Sequence, residues 1–154
     1  MTSQKRKDYI SWEYYFMEIA KLSARRSKDP NTQVGACIVN CDNKIVGIGY
    51  NGLPKGCSDD LFPWGNDNKD IPLTKYPYVV HAEANAIINA SLKVSGARIY
   101  TTLFPCNECM KLLIQSGIKE VIYLSDKYST SDMTKASKKM ALASGIILKK
   151  YEED

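Results

Sequence analysis

Residues 81–150 alternate between segments typical of helices and segments typical of strands, and this alternation constrains the fold more than any other feature. The predicted helices span residues 81–91, 106–116 and 132–144, and the predicted strands span residues 97–103, 120–124 and 146–150. Gly117 and Gly145 follow the last two helices, as is common where a chain leaves a helix through positive φ. Helices of this length between strands act as crossover connections, so the region predicts a mostly parallel sheet.

The first half of the chain predicts a helix, a hairpin and a long loop. Apolar residues recur at helical spacing over residues 10–27, and this helix ends before Pro30, which cannot continue it. Two apolar segments, 34–39 and 44–50, flank the polar stretch NCDN and predict a β-hairpin. Residues 51–78 are rich in Gly, Pro, Asp and Asn and predict a loop of a length that is often functional in a compact domain.

These elements predict an α/β protein in which a mixed five-stranded sheet has helices on both faces. The result is a three-layer α/β/α arrangement. A length of 154 residues, of which 44% are hydrophobic, predicts a single domain spanning residues 1–154.

Charge and cysteine content narrow the class of protein. The net charge of +4 suits an anionic ligand and does not require nucleic acid. No apolar run approaches the ~20 residues that a membrane span needs, and the charged N-terminus is unlike a signal peptide. An odd number of cysteines, five, favours a reducing compartment, where clustered cysteines bind metal more often than they form disulfides. We therefore expect a cytoplasmic protein that does not associate with a membrane.

The segment PCNEC contains the most informative pair of side chains, Cys106 and Cys109. Pro105 suits the first position of a helix, where its missing N–H has no intrahelical partner to lose. Cysteines three apart on a helix lie on the same face, and the positive end of the helix dipole lowers the pKa of a thiol. Two thiolates on one face supply half of a tetrahedral zinc site.

The segment HAE lies at the predicted start of another helix and contains His81, the only histidine, two positions before Glu83. On its own it leaves three roles open for the histidine: a metal ligand, a proton shuttle or a satisfied core side chain. Cys37, Cys41 and Cys57 are also candidates for a third metal ligand. Residues two apart do not share a face in mid-helix, but in a first turn both side chains can reach a group beyond the helix end. A single strand separates the two helices, so a crossover would bring their N-termini to one sheet edge.

The order H-x-E followed by P-C-x-x-C is the signature of zinc deaminases. Three protein ligands with a fourth position open are typical of catalytic zinc, whereas structural sites are closed by four. Such a zinc lowers the pKa of its water to roughly 7, and Glu83 is a carboxylate placed to take that proton and return it. Each part alone has an ordinary explanation: a redox or structural C-x-x-C, a satisfied histidine, or a glutamate favourable to the helix dipole. The combination favours catalysis with His81, Cys106 and Cys109 as ligands.

Residues 47–52, GIGYNG, match the G-x-G-x-x-G fingerprint of dinucleotide-binding proteins. That fingerprint requires a helix to open directly from it, and LPKGCSDD follows instead, so we exclude a dinucleotide cofactor. The segment is either a strand end with permissive glycines or, through Asn51, part of a ligand pocket. Cys37, Cys41 and Cys57 are interpreted as structural.

Several segments beyond the metal motif resemble the deoxycytidylate (dCMP) deaminases of the cytidine deaminase superfamily. They are YFMEIAKLSARRSKDPNTQVGACIVN, KIVGIGYNGLPKGCSDD, TKYPYVVHAEANAI, LFPCNEC and GIKEVIYLSDKY. The resemblance is strong over residues 8–130 and weak over the remainder. It implies a cytidine-deaminase-like fold and the hydrolytic deamination of dCMP to dUMP with release of ammonia, which would supply dUMP for thymidylate synthesis.

The same resemblance implies roles for further residues. It gives one Zn²⁺ ion the three ligands named above and makes Glu83 the proton donor to N3 of the pyrimidine and to the leaving amine. The residues expected to contact the substrate are Asn31, Asn51, Ala82, Phe104, Pro105 and Tyr128. Arg26 and Lys28 could add to the field around the phosphate, although a solvated helix end explains both equally well.

Regulation and assembly are also implied by the resemblance. Members of this family are commonly hexamers that are activated by dCTP and inhibited by dTTP, with Mg²⁺ accompanying the triphosphate. The effector site is associated with the segment GYNGLPKG, which makes Gly49, Asn51, Gly52 and Lys55 candidate allosteric residues. We therefore expect a homo-hexamer that binds dCMP, dCTP and dTTP.

Two other functions share some of these features. A deaminase acting on a base within RNA or DNA uses the same zinc chemistry, but the sequence has no concentrated strip of arginine and aromatic residues, so we expect no nucleic-acid partner. A non-catalytic zinc-binding module would need the metal ligands without Glu83. Substituting Glu83 therefore separates that module from an enzyme.

Overall fold

The computed structural model describes residues 3–153. The strands are β1 (Gly35–Val39), β2 (Ile45–Tyr50), β3 (Arg98–Leu103), β4 (Glu120–Ser125) and β5 (Ile147–Lys150). The helices are α1 (Trp12–Ala24), α2 (Ala82–Ile88), α3 (Asn107–Gln115) and α4 (Asp132–Ser144), with a short 3₁₀ helix at Ile71–Leu73. Within residues 3–153 no helix is long and apolar enough to cross a membrane.

The five strands form one mixed sheet in the order β2-β1-β3-β4-β5. Strand β1 is antiparallel to both of its neighbours, β2 and β3, and the pairs β3–β4 and β4–β5 are parallel. Since β2 and β3 both run opposite to β1, their carboxyl ends lie at the same edge of the sheet. The helices that follow these two strands therefore begin near one another.

Two apolar clusters, one on each face of the sheet, hold the layers together. On one face α1 packs Phe16, Met17 and Ala20 against strand side chains that include Tyr100. On the other face α2, α3 and α4 contribute Ala82, Ala86, Met110, Leu113 and Ala141 to the second cluster. The predicted three-layer arrangement is confirmed, with one helix on the first face and three on the second.

Gly35 and Gly49 allow helices to approach the sheet unusually closely. A Cβ atom at Gly35 would lie 1.8 Å from the carbonyl oxygen of Ala20 in α1, and one at Gly49 would lie 2.3 Å from that of Ala82 in α2. Because these obstacles are backbone atoms, a larger residue would force the helix away from the strand. Gly49, a candidate allosteric residue by sequence, thus has a packing role under the first residue of α2.

Predicted helix boundaries are wrong by one to three residues in three of the helices. Helix α1 spans Trp12–Ala24 rather than residues 10–27, because Ser11 caps it and accepts a hydrogen bond from the N–H of Tyr14. Helix α2 ends at Ile88 rather than at residue 91, because the N–H of Ser91 donates to the carbonyl of Val46 and draws the chain towards β2. Helix α3 begins at Asn107, one residue late, because the side chain of Cys106 caps it and accepts a hydrogen bond from the N–H of Cys109. Pro105 consequently precedes the cap and is not the first helical residue.

Candidate metal centre and active-site pocket

His81, Cys106 and Cys109 meet at the edge where β2 and β3 end. His81 is the N-cap residue of α2 and Cys106 is the N-cap residue of α3, so both side chains project beyond the helix starts. The Nδ1 atom of His81 lies 3.4 Å from the Sγ atom of Cys106 and 3.4 Å from that of Cys109. The possible ligand atoms of the three residues all lie within 4.8 Å of one another.

This arrangement fits a zinc ion. With Zn–N near 2.0 Å and Zn–S near 2.3 Å, two ligand atoms of a tetrahedral site are about 3.5 Å apart, which agrees with both nitrogen–sulfur distances. One imidazole and two thiolates are also the donor types that Zn²⁺ prefers. Three protein donors leave one tetrahedral position for water or substrate, as in catalytic zinc sites.

One hydrogen bond between the two thiols shifts their pKa values in opposite directions. Donation from Cys109 lowers the pKa of Cys106 to about 4, and the same hydrogen bond together with burial raises the pKa of Cys109. The hydrogen bond with Cys106 also raises the pKa of His81 above its ordinary value, against the opposing effect of burial. Without metal, the cluster therefore holds one thiolate and one thiol at neutral pH.

Glu83 lies in the first turn of α2 and is buried, with 4% of its surface exposed. Burial raises the pKa of this carboxyl group above its ordinary value, because removal from water disfavours the charged form. Its Oε1 atom lies 3.1 Å from the hydroxyl of Thr101, a fully buried residue of β3. At neutral pH, Glu83 therefore keeps a proton more readily than an exposed glutamate does.

Ser137 ties α4 to the metal-binding segment. This fully buried hydroxyl donates to the carbonyl oxygen of Pro105 at 2.8 Å and lies 3.5 Å from that of Cys106. The contact fixes the backbone directly at the first cysteine, which makes Ser137 a residue that supports the metal cluster without joining it.

A pocket of about 430 Å³ opens beside the cluster, and several residues singled out in the sequence line it. They are Asn51, His81, Ala82, Glu83, Phe104, Cys106 and Tyr128. Phe104 is buried and packs edge-on against Tyr123, whereas the ring of Tyr128 is half exposed. Asn31 and Pro105 are not among the lining residues; Asn31 is exposed and its N–H donates to Asp29.

Sequence reasoning missed a buried ion pair in the wall of this pocket. The Nζ atom of Lys75 lies 2.6 Å from Oδ2 of Asp29, and the two side chains are 11% and 2% exposed. Asn51 joins them: its amide nitrogen lies 3.5 Å from the same carboxylate oxygen, while its Oδ1 accepts the N–H of Val34. No pattern in the sequence links Asp29 to a lysine 46 positions away.

A second pocket, of about 250 Å³, shares Asn51 with the first. Arg26, Lys28, Gly52 and Lys55 line it, and Lys28 pairs with Asp59 at 2.6 Å. Two basic residues considered for the substrate phosphate, Arg26 and Lys28, therefore face this second pocket. Gly49 does not line it.

Residues 10–125 match the sequence model of the cytidine and deoxycytidylate deaminase zinc-binding region. The chain belongs to the cytidine and deoxycytidylate deaminase family. It is 57% identical to deoxycytidylate deaminase of Homo sapiens over 152 residues, covering 98% of this chain and 85% of the human protein. It is also 57% identical to probable deoxycytidylate deaminase of Drosophila melanogaster, covering 97% of this chain and 76% of the fly protein.

Family membership is matched by likeness to a solved structure. The dCMP deaminase of cyanophage S-TIM5, crystallised with dCMP and dUMP, superposes with a TM-score of 0.73 at 26% identity, over 90% of this chain and 96% of the phage chain. The apo form of the phage enzyme gives a TM-score of 0.70. The cytidine-deaminase-like fold expected from the sequence is confirmed, as is the predicted family.

Proposed function

We propose that this protein catalyses the hydrolytic deamination of dCMP to dUMP with release of ammonia. The observation that carries the proposal is the buried carboxyl group of Glu83 in a pocket that also contains a one-nitrogen, two-sulfur metal cluster. Relatives named deoxycytidylate deaminase, at 57% identity over nearly the whole chain, support dCMP as the substrate.

His81, Cys106 and Cys109 would hold the zinc, which when bound supplies a water acidic enough to act as a nucleophile at neutral pH. Glu83 is the general acid and base: it takes a proton from the attacking water and delivers it to N3 of the pyrimidine, and then takes the proton of the new hydroxyl at C4 and delivers it to the departing amine. Burial raises the pKa of Glu83, which makes its carboxylate a better proton acceptor than that of an exposed glutamate.

The remaining pocket residues orient the nucleotide. Phe104 packs against the base, the backbone of Ala82 faces it from the first turn of α2, and Tyr128 lies at the open side of the pocket. The Oδ1 atom of Asn51 accepts one hydrogen bond from Val34, so it keeps a lone pair with which to accept from a sugar hydroxyl.

An ammonia-release assay across substrates tests this proposal. The zinc-loaded protein is offered dCMP, dCTP, CMP and deoxycytidine, and dCMP is expected to give the highest kcat/KM. Single-stranded DNA and tRNA are offered in parallel. Deamination of either polymer without turnover of dCMP would overturn the assignment.

For the second pocket we propose a nucleoside triphosphate effector, dCTP as activator and dTTP as inhibitor, accompanied by Mg²⁺. The cationic side chains of Arg26 and Lys55 support it, because with Lys28 paired to Asp59 they still leave the cavity an excess of positive charge, which suits a polyphosphate. The test is the rate on dCMP with each triphosphate, in the native protein and in Lys55→Met. An unchanged rate at saturating triphosphate in the native protein would exclude this role.

A homo-hexamer is the proposed assembly. Tyr9, Ile10 and Trp12 each expose more than half of their surface at the start of α1, and adjacent exposed apolar residues are typical of an interface. Sedimentation velocity of the native protein and of Ile10→Asp measures this directly, and a native protein that sediments as a monomer would rule it out.

A further inference from the structure

Lys75 is the one lysine or arginine that lines the main pocket within residues 3–153. It comes from the loop before α2, and its partner Asp29 comes from the loop after α1. The metal ligands and Glu83 come instead from the starts of α2 and α3. The ion pair therefore belongs to a different wall of the pocket from the one that carries the reacting groups.

Asp29 accepts hydrogen bonds from several neutral groups besides Lys75. Its Oδ1 atom accepts the backbone N–H groups of Asn31 at 2.8 Å and Thr32 at 3.2 Å. Its Oδ2 atom lies within 3.5 Å of the amide nitrogen of Asn51 and accepts from Lys75. These neutral donors stabilise the carboxylate without cancelling its charge, so the ion pair is neutral as a whole and its ammonium serves a ligand as a directed hydrogen-bond donor.

The ammonium group of Lys75 also has donors to spare. It carries three N–H groups, and Asp29 is its one hydrogen-bond partner among the described residues. Asp29 holds the nitrogen in the pocket wall, where reduced contact with water strengthens its interaction with an anion. The residue is 8% exposed, so it reaches the exterior chiefly through this pocket.

We propose that Lys75 binds the 5′-phosphate of the nucleotide and is the residue that selects a nucleotide over a nucleoside. The inference rests on the proposed function, since it takes a pyrimidine nucleotide as the occupant of the pocket. Arg26 and Lys28 do not compete for this role, because they line the second pocket. Asp29 acts as a positioning residue that fixes the ammonium.

The experiment compares phosphorylated and unphosphorylated ligands in matched variants. Lys75→Met removes the charge, and Lys75→Met combined with Asp29→Asn removes it without leaving a buried carboxylate unpaired. Lys75→Arg keeps the charge, and Lys21→Met is the control, since Lys21 pairs with Glu18 and Glu153 on the outer surface. The readouts are kcat/KM for dCMP and deoxycytidine, and the dissociation constants of dUMP and deoxyuridine, which need no turnover.

Loss of a hydrogen bond to a charged group predicts that Lys75→Met lowers the dCMP-to-deoxycytidine ratio of kcat/KM by roughly 10- to 100-fold. The dUMP-to-deoxyuridine affinity ratio is expected to fall equally, in the double variant as well, while Lys75→Arg recovers part of both. Lys21→Met should keep both ratios.

Unchanged ratios in the double variant would overturn the role of Lys75, and so would an equal loss on both ligands of each pair, which indicates a purely structural ion pair. A native enzyme that does not deaminate dCMP would instead refute the proposed function. Binding of dUMP and deoxyuridine with equal affinity by the native protein would refute selection by phosphate.

Discussion

The hydroxyl of Thr101 lies 3.1 Å from Oε1 of Glu83 and 2.9 Å from the carbonyl oxygen of Leu103. A hydroxyl has one proton, so it donates to only one of these acceptors at a time. When Glu83 is ionised the proton of Thr101 can point to it, and when Glu83 is protonated Thr101 can accept from it. Thr101 thus holds the carboxyl group in either state.

Replacing Thr101 by Val removes this contact at nearly constant volume. One lost neutral hydrogen bond predicts a fall in kcat of about 2- to 10-fold, with KM for dCMP unchanged because Thr101 does not line the pocket. Thr101→Ser keeps the hydroxyl and should retain most of the activity. Equal kcat values for the Val and Ser variants would show that the hydrogen bond does not contribute to catalysis.

Glu83→Gln is expected to keep its zinc and lose deamination, by about 10²- to 10⁴-fold for a missing general acid and base. Metal content by mass spectrometry together with ammonia release separates the two effects. Retained turnover would refute the proton-transfer role of Glu83, and loss of zinc would make the result structural.

The same substitution has a pH-dependent effect on stability. The pKa of Glu83 is raised in the folded protein, so the native chain loses folding free energy as the pH rises from the ordinary glutamate pKa to the raised one, and the uncharged Gln avoids this loss. At pH 7 the zinc-free variant is expected to melt at a higher temperature than the native chain. The difference should disappear as the pH falls towards the ordinary pKa of a glutamate, and a variant that is less stable at every pH would contradict this.

The sequence predicted the metal cluster because its residues lie in two short motifs whose spacing reflects helix geometry. The ion pair between Asp29 and Lys75 was not predicted because it joins two loops, and loop conformation depends on packing that no local pattern encodes. The contact of Ser137 was not predicted either, since a serine in a helix is common and only the fold brings it to the carbonyl of Pro105. All five strands and the β1–β2 hairpin were predicted, whereas the strand order and the antiparallel pairing of β1 with β3 required the structure.

Zinc binding at pH 8 is expected to release about one to two protons per chain, because a zinc ligand must be a thiolate and zinc-bound water has a pKa of roughly 7. Cys106, with a pKa of about 4, is already ionised at that pH, so the thiol proton comes from Cys109, whose pKa is raised. As the pH falls, the raised pKa of His81 makes protons compete with zinc earlier than at an ordinary histidine. Calorimetry in buffers of different ionisation enthalpy counts the protons, and Cys41→Ser, at an exposed cysteine, is the control.

Ser137→Ala should leave the buried carbonyl of Pro105 without its partner, at a cost of about 1–3 kcal/mol in the free energy of unfolding. Zinc should also be lost faster to a chelator, because the same contact fixes the backbone at Cys106. Ser144→Ala, which removes an exposed hydroxyl from the same helix, is the matched control and should change neither quantity. Equal zinc loss from both variants would exclude a supporting role for Ser137.

Gly49→Ala places a methyl group against the backbone of α2, and overpacking of this kind costs about 1–3 kcal/mol in the free energy of unfolding. Because the obstructed residue, Ala82, lies between His81 and Glu83, kcat should fall together with stability. Gly65→Ala, where an added Cβ meets no atom within 4 Å, should be neutral in urea denaturation and in the assay. A Gly49→Ala protein with native stability would show that the helix can shift freely.

Asn51 lines both pockets, and its side chain connects the loop bearing Asp29 to the end of β2. Two ligands whose pockets share one side chain cannot be bound independently if either of them shifts it. Thermodynamic reciprocity then applies. If a ligand in the second pocket changes the affinity for the nucleotide by some factor, the nucleotide changes the affinity for that ligand by the same factor. In that case a single amide group would let occupancy of either pocket change the affinity of the other.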